Sequence, residues 1–387
     1  MNDSRPRVAI VVPNLNGLRH LDTLFDCMRA QTGLADTLAE CVLVDNGSRD
    51  GSAQRARREP GVRLLRNETN LGFSAACNRG AREAEAAIVC FLNTDIRFDP
   101  DFVSRLIEPI VREQVVATTA RMLSWDGEAI DFAGGGMNFH GIGIAKGYRD
   151  TPSSDHEREA PSLFPCGGAM AIDRRVFLDV GGFDEAFFAY YEDVDLGWRL
   201  WLQGHEVRYV PDAVCRHHHA STTSTFPVEA VRLLQIRNPL LSCFKNYDDE
   251  NLRRIFPAAL ALAVRRMQLV AGVDAERGFR IEHAVPSPSR GWAKLVNTIR
   301  GLARPGVSIR NEAAADLFAL GDLLGDWDAW MARRKAVQSQ RRRSDAEIFA
   351  LFDDPFWCIE DDPSYRELHD GLIELFELRK LFPESKP

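Results

Sequence analysis

Four short apolar runs near the start of the chain, each closed by polar residues and interleaved with helical patterns, leave few folds open. Val8 to Val12 is the first, and Pro13 is expected to stop it. Leu21, Leu24, Phe25 and Met28 then recur on one helical face. Cys41 to Val44 and Val62 to Leu65 read as the second and third strands. Ala75 to Glu85 suits a helix, and Ala87 to Leu92 forms the fourth strand. Strands that are apolar on both faces belong in a mostly parallel sheet flanked by helices, an α/β architecture. Ligands of such sheets collect beyond the carboxyl ends of the strands. The polar residues cluster at those ends: Asn14 and Asn16, Asp45 to Asp50, and Asn93 to Asp95.

Bulk properties narrow the function. The net charge of -8 argues against nucleic acid as a partner, because phosphate backbones are met by an excess of Lys and Arg. The eight cysteines show no metal-knuckle spacing and lie largely in apolar runs, as reduced core residues do. The first residues enter a strand without a signal-peptide pattern. The apolar stretch from Ile255 to Val264 is far shorter than the roughly 20 residues a spanning helix needs. A cytoplasmic enzyme, or one at the inner face of the membrane, is expected.

Five clusters can carry chemistry. Asp45-Asn46-Gly47 places a carboxylate at a strand end, where it can accept hydrogen bonds from a ribose or nucleobase; a plain Asp-Gly turn is the alternative. Asp95, after Asn93 and Thr94, offers oxygen to a divalent ion such as Mg or Mn, or simply closes an Asx turn. Glu192, Asp193 and Asp195 fall within one short run beside Tyr190, Tyr191 and Trp198. Capping a helix needs one acid, whereas crowded carboxylates raise one another's pKa and suit a general base. His217, His218 and His219 follow Arg216, and imidazoles bind metals, although alternate strand residues point to opposite sides. Gly167 and Gly168 allow close approach of a phosphate or acceptor to the backbone.

In this order the motifs VVPNLNG, VDNGSRDGS, RNETNLGFSAACNRG, FLNTDIRFDPDF, CGGAMAIDRRVF, GGFDEAFFAYYEDVDLGWRL and VCRHHHAS resemble glycosyltransferase family 2, in its rhamnosyltransferase-like branch. The resemblance spans residues 6 to 245 and implies a GT-A fold with a helical C-terminal extension. It implies a catalytic domain over 1–227, with a nucleotide-sugar half to about 120 and an acceptor half beyond it, and a helical region over 228–387. Inversion would follow, with a sugar (rhamnose by the branch) leaving a nucleotide diphosphate for a hydroxyl of a glycan or lipid-linked acceptor in bacterial surface polysaccharide assembly. Carried over residue by residue, Pro13, Asn14 and Asn16 floor the nucleotide pocket, and Asp45 and Asn46 contact the nucleoside. Arg66, Asn70, Gly72 and Asn78 line the second nucleotide loop. Asn93, Thr94 and Asp95 face the diphosphate, with Asp95 and His217 as metal ligands. Asp193 is the base with Glu192 beside it and Asp195 in reserve, while Gly167, Gly168 and Tyr191 meet the acceptor. The sequence departs from the pattern at Asn93, where an acid is expected, so the diphosphate must supply much of the metal's coordination.

Two other functions fit an α/β nucleotide fold. A sugar nucleotidyltransferase opens with a Gly- and Arg-rich loop, which VVPNLNGLRH is not. An inactive binding scaffold would have no need of Asp95, Glu192, Asp193 and Asp195. Gly134 to Gly147 predict irregular strands, and Tyr148 to Pro161 a mobile loop. Past residue 228 the pattern is helical and charged. Arg333 to Lys335 and Arg341 to Arg343 belong either to a charge-balanced helical hairpin or to a basic face for peripheral membrane contact. Trp327, Trp330 and Trp357 suit that face, the core, or a homo-oligomer interface.

Overall fold

The computed structural model describes residues 7–33, 38–218, 226–271 and 310–382. Its strands are β1 (Val8–Asn14), β2 (Leu38–Asn46), β3 (Val62–Asn67), β4 (Ile88–Leu92), β5 (Ile96–Phe98), β6 (Ala117–Ser124), β7 (Ile130–Phe132), β8 (Gly135–Met137), β9 (Gly143–Ala145), β10 (Ala160–Pro161), β11 (Ala169–Asp173) and β12 (Val207–His217). The main sheet runs β10-β12-β6-β11-β4-β1-β2-β3, with β5 on β12 and β7 on β6. From β4 to β3 all pairings are parallel. β11 enters antiparallel between β4 and β6, so the sheet is mixed.

Pro13 does not end the first strand. It pairs with Val44, and β1 continues to Asn14, which pairs with Asp45. These two side chains therefore leave neighbouring strands at the same level, which is how the sheet places its polar ends together.

Helices α1 (Leu18–Arg29), α2 (Ser52–Arg57), α3 (Phe73–Glu83), α4 (Phe102–Val111), α5 (Arg174–Asp179) and α6 (Glu192–Leu202) belong to the sheet region. Beyond it come α7 (Val228–Asn246), α8 (Asp249–Ala271), α9 (Asn311–Gly325), α10 (Trp327–Ser339), α11 (Asp345–Phe349) and α12 (Pro363–Leu375). The apolar core does not stop at residue 227: Cys243, Tyr247, Ile255, Leu262, Phe352 and Tyr365 share one buried cluster with the sheet residues. Trp198 of α6 stacks edge-on against Tyr247 and Phe352.

The glycine-rich middle forms the β8–β9 hairpin. Its glycines have a packing purpose. A Cβ on Gly136 would lie 2.9 Å from the Phe352 carbonyl, so the C-terminal chain passes against bare backbone, and Met137 N donates to that carbonyl. The stretch from Tyr148 to Pro161 holds a 3-10 turn at Ser154–Glu157 and then β10, paired with β12. All eight cysteines are free thiols. Among the described residues no helix is long and apolar enough to cross a membrane.

The basic clusters of the C-terminal region are largely engaged within the fold. Arg341 pairs with Asp345 at 2.7 Å, Arg343 lies over the Trp201 ring, and Arg334 donates to the carbonyls of Phe244 and Tyr247. Arg334 and Arg341 thus tie the C-terminal helices to one another, and Arg343 ties them to α6 and the turn after it, so these three side chains serve internal contacts. Trp330 is buried, whereas Trp327 and Trp357 are exposed.

Candidate active site

The site lies beyond the carboxyl ends of β1, β2 and β4. Asn14 Nδ2 is shared among Asp45 Oδ1 (3.1 Å), Ser48 Oγ (3.1 Å) and Ser52 Oγ (2.9 Å). Asp45 is fully buried, and Arg66, half exposed, reaches its other oxygen at 3.3 Å. Asn16 adopts a positive φ, accepts from Arg49 N at its side-chain oxygen, and donates its backbone N–H to Ser48 Oγ. Asp50 accepts from Leu18 N and Ser52 N, holding the starts of α1 and α2. Short side-chain acceptors at the ends of adjacent strands thus organise two turns around one carboxylate.

Asn46 and Asn70 shape the neighbouring loop. Asn46 donates to Asn70 Oδ1 and Gly72 O, and accepts from Asn67 and Leu71. Gly72 is required by geometry: its φ is +91°, and a Cβ would lie 2.5 Å from the Phe188 carbonyl. Asn78 is not in this pocket. Its amide binds both backbone groups of Phe183, and Glu185, so it fastens the loop after α5 to α3.

Asn93, Thr94 and Asp95 close β4, and the segment at Gly167 joins them to the acids of α6. Asn93 N donates to Gly168 O at 2.9 Å, and Gly167 N donates to Asp193 Oδ2 at 3.0 Å. A Cβ on Gly168 would meet Asn93 Nδ2 at 2.7 Å, so this approach needs the small residue.

The three acids of α6 have different surroundings. Asp195 has no exposure and sits among Arg199 (2.8 Å), Lys245 (2.9 Å) and Asn246 (3.0 Å). Its place as reserve base is therefore corrected: a carboxylate walled in by two cations anchors helices and cannot reach a substrate. Glu192 is also buried, at 6% exposure, and burial followed by the nearby Asp193 charge pushes its carboxyl well above the usual range. Asp193 alone keeps partial exposure. Burial raises its pKa, while the amides of Gly167 and Val194 hold that rise back.

The turn leading into these acids is strained. Phe188, Tyr190 and Tyr191 all have positive φ, a conformation that costs a non-glycine residue on the order of 1–3 kcal/mol. Tyr191 packs against the core, and burial pushes its phenol up to about 12.

His217 ends β12 beside Asp95, with Nε2 3.4 Å from Asp95 Oδ1 and Nδ1 2.7 Å from Asp131 Oδ2. Burial favours the neutral ring, yet the hydrogen bonds and charges of Asp131 and Asp95 push it up to about 9. His218 points elsewhere, stacking between His20 and Trp125. His219 lies outside the described residues. Asp131 carries no signal in the sequence, since it stands in a three-residue strand with no motif around it. Lys245 opens the Lys245-Asn-Tyr247 segment that follows the apolar run of α7, and Asn238 lies inside that run without a motif of its own.

Residues 9–181 match the family model for glycosyl transferase family 2, and residues 153–254 match glycosyl transferase family group 2. An N-acetylglucosaminyl-diphospho-decaprenol L-rhamnosyltransferase of Mycobacterium tuberculosis is 34% identical over 218 residues, covering 48% of this chain and 68% of the relative. The succinoglycan biosynthesis protein ExoA of Rhizobium meliloti is 30% identical over 209 residues, covering 51% of this chain and 59% of that protein. Among solved structures, that of GalNAc-T7 with UDP, GalNAc and Mn2+ superposes with a TM-score of 0.53 at 18% identity, over 79% of this chain and 59% of that one. Fold and sequence together define a glycosyltransferase of the GT-A class. The chain belongs to glycosyl transferase family 2.

Proposed function

We propose that this glycosyltransferase moves rhamnose from a deoxythymidine or uridine diphosphate donor to a hydroxyl of a lipid-linked or glycan acceptor in surface polysaccharide assembly. The sugar and the acceptor class follow the Mycobacterium tuberculosis relative, whose name specifies both. The observation that carries the reading is Asp193: a partly exposed carboxylate, held by the Gly167 amide, one hydrogen bond removed from the strand that ends in Asn93 to Asp95.

Asp45, Asn14 and Arg66 form the nucleoside end of the pocket, and Asp95 the diphosphate end. Asp193 takes the proton of the acceptor hydroxyl as its oxygen attacks the anomeric carbon from the face opposite the leaving diphosphate. One displacement of this kind inverts the anomeric centre. Burial and then the charge of Asp193 oppose ionisation of Glu192, which disfavours a second negative charge beside the base.

The fold family implies a divalent ion, and the residues fit one. Asp95 oxygen and His217 Nε2 converge, and Asp131 on Nδ1 fixes the ring, the arrangement that orients a histidine ligand. Among the described residues no group of three His, Cys, Asp or Glu side chains forms a complete cage, so Mg or Mn would also need the donor's diphosphate oxygens. When bound, such an ion supplies positive charge to the leaving diphosphate.

The test is release of nucleoside diphosphate and glycoside product from a panel of nucleotide sugars with a polyprenyl-diphosphate-sugar acceptor. Asp193→Asn should lower kcat by about 10²–10⁴ with the fold intact. Near-normal turnover in that variant removes Asp193 as the base.

A further inference from the structure

The turn from Ala186 to Tyr191 delivers Glu192 and Asp193 to the site, and none of its carbonyls is left to chance. Arg237 Nη2 donates to Ala186 O at 2.8 Å. Asn238 Nδ2 lies 3.0 Å from Phe187 O, 3.0 Å from Ala189 O and 2.8 Å from Tyr190 O. Ser74 N, at the start of α3, donates to Phe188 O at 3.3 Å, and Asp195 N closes the first helical turn on Tyr191 O. Three of these residues hold a left-handed backbone without being glycine, so the turn keeps its shape only while its surroundings dictate it. Asn238 supplies most of that dictation: it is fully buried, and its two amide protons serve three carbonyls converging on one point.

Asn238 belongs to α7, in the helical region that follows the sheet. Seven residues on, the same helix sends Lys245 to Asp184 and Asp195, the first before this turn and the second in the helix after it. The helix therefore grips the turn in its middle and at both flanks. On its far side the turn rests on bare backbone at Gly72, next to the loop shaped by Asn46.

We propose that Asn238 is a positioning residue for the reaction: its amide clamps the strained turn so that Asp193 meets the Gly167 amide and faces the acceptor hydroxyl. This rests on the reading of Asp193 as the base. A misplacement of about 1 Å in such a group costs turnover on the order of a hundredfold while leaving ligand binding elsewhere intact.

The experiment uses the full chain with Asn238→Leu, which keeps the forked side-chain shape and removes both donors, and Asn238→Ser, which keeps one donor. Hydrogen–deuterium exchange over 187–195 should accelerate in the leucine variant and only partly in the serine variant, with the sheet strands unchanged. With a donor the wild type turns over, kcat should fall roughly a hundredfold for leucine and less for serine. Affinity for the nucleoside diphosphate alone, read by calorimetry with UDP and dTDP, should stay within about threefold. Unchanged exchange over 187–195 overturns the clamp. Accelerated exchange with unchanged kcat, or kcat and nucleotide affinity falling together, overturns the positioning role. A wild type that releases nothing from any donor sinks the proposed function, and the exchange measurement still decides the clamp.

Discussion

Lys245 Nζ lies 2.9 Å from Asp195, a carboxylate with no exposed surface, and 2.6 Å from Asp184. One ammonium from α7 thus joins the loop before the strained turn to the helix after it. Arg199 completes the cluster, donating to Asp195 and to the carbonyls of Val180 and Gly182. The third acid of the Glu-Asp-Val-Asp run is an anchor, and the anchor's partner comes from beyond the sheet.

Removing that partner should be costly. Lys245→Met leaves two carboxylates short of a buried cation, and breaking a buried pair from one side destabilises by about 3–5 kcal/mol. Urea unfolding monitored by tryptophan fluorescence should show this loss. Lys245→Met combined with Asp195→Asn should lose less than the sum of the two single changes, because the orphaned charge is gone. Additive losses would mean that the two groups do not share one network.

The same cluster sets an acid limit. Asp195 and Asp184 both resist burial through Lys245, first of all, and Arg199, and both are held below the usual carboxylate range. A depressed carboxylate contributes stability that is full above its unfolded value, about 3.9, and is lost as pH falls through that value toward the folded one. Thermal melts from pH 6 to pH 3 should therefore fall less steeply for Asp195→Asn than for the native chain. A parallel fall would remove Asp195 from the acid transition.

Glu192 has the opposite sign. Burial, then the charge of Asp193, raises its carboxyl, so ionising it costs stability as pH climbs from its unfolded value, about 4.3, to the folded one. Glu192→Gln should gain stability over the native chain at pH 7–8 and show little gain near pH 4. Activity should not rise with it, since a strained site commonly trades stability for function. Equal melting temperatures at both pH values would contradict this account.

How much of this was legible beforehand depends on whether a local pattern carried it. β1, β2, β3 and β4 could be read because buried parallel strands are apolar on both faces, and their polar ends followed from the same runs. Pro13 misled because a proline lacks only one hydrogen bond, and the strand continues past it to Asn14. The three acids of α6 were visible as a cluster, but the engagement of Asp195 depends on Lys245, some fifty positions on. The family resemblance assigns Asn78 to the second nucleotide loop, yet it lies in α3 and its amide faces Phe183. Asp131 and Asn238 carry no local signal, since their partners are chosen by tertiary packing.

Asp131 should matter to metal affinity without touching the ion. It holds His217 by Nδ1 and so leaves Nε2 toward Asp95. Asp131→Asn should weaken Mn binding by about 10–100-fold, the usual effect of losing such a partner. Electron paramagnetic resonance of free Mn, titrated in the presence of UDP or dTDP, measures it, and His217→Ala should cost at least as much. Unchanged affinity in Asp131→Asn would mean that the pair serves packing alone.

Gly72 offers a test of the contact between the loop that carries Asn70 and the strained turn at Phe188. Alanine there must adopt a φ of +91° and place its methyl 2.5 Å from the Phe188 carbonyl and 2.7 Å from the Phe188 ring. Neither neighbour can yield easily, because the Phe188 carbonyl accepts from Ser74 N and the turn is gripped by Asn238. The loop carrying Asn70 must move instead, which breaks the Asn46 to Gly72 bond and disturbs the nucleoside pocket. Overpacking of this kind costs about 1–3 kcal/mol. Gly72→Ala should therefore weaken UDP or dTDP binding and lower kcat together, the reverse of the split expected for Asn238. Calorimetry and turnover on the same preparation decide it: a fall in kcat with nucleotide affinity intact would show that the turn gave way and the loop held.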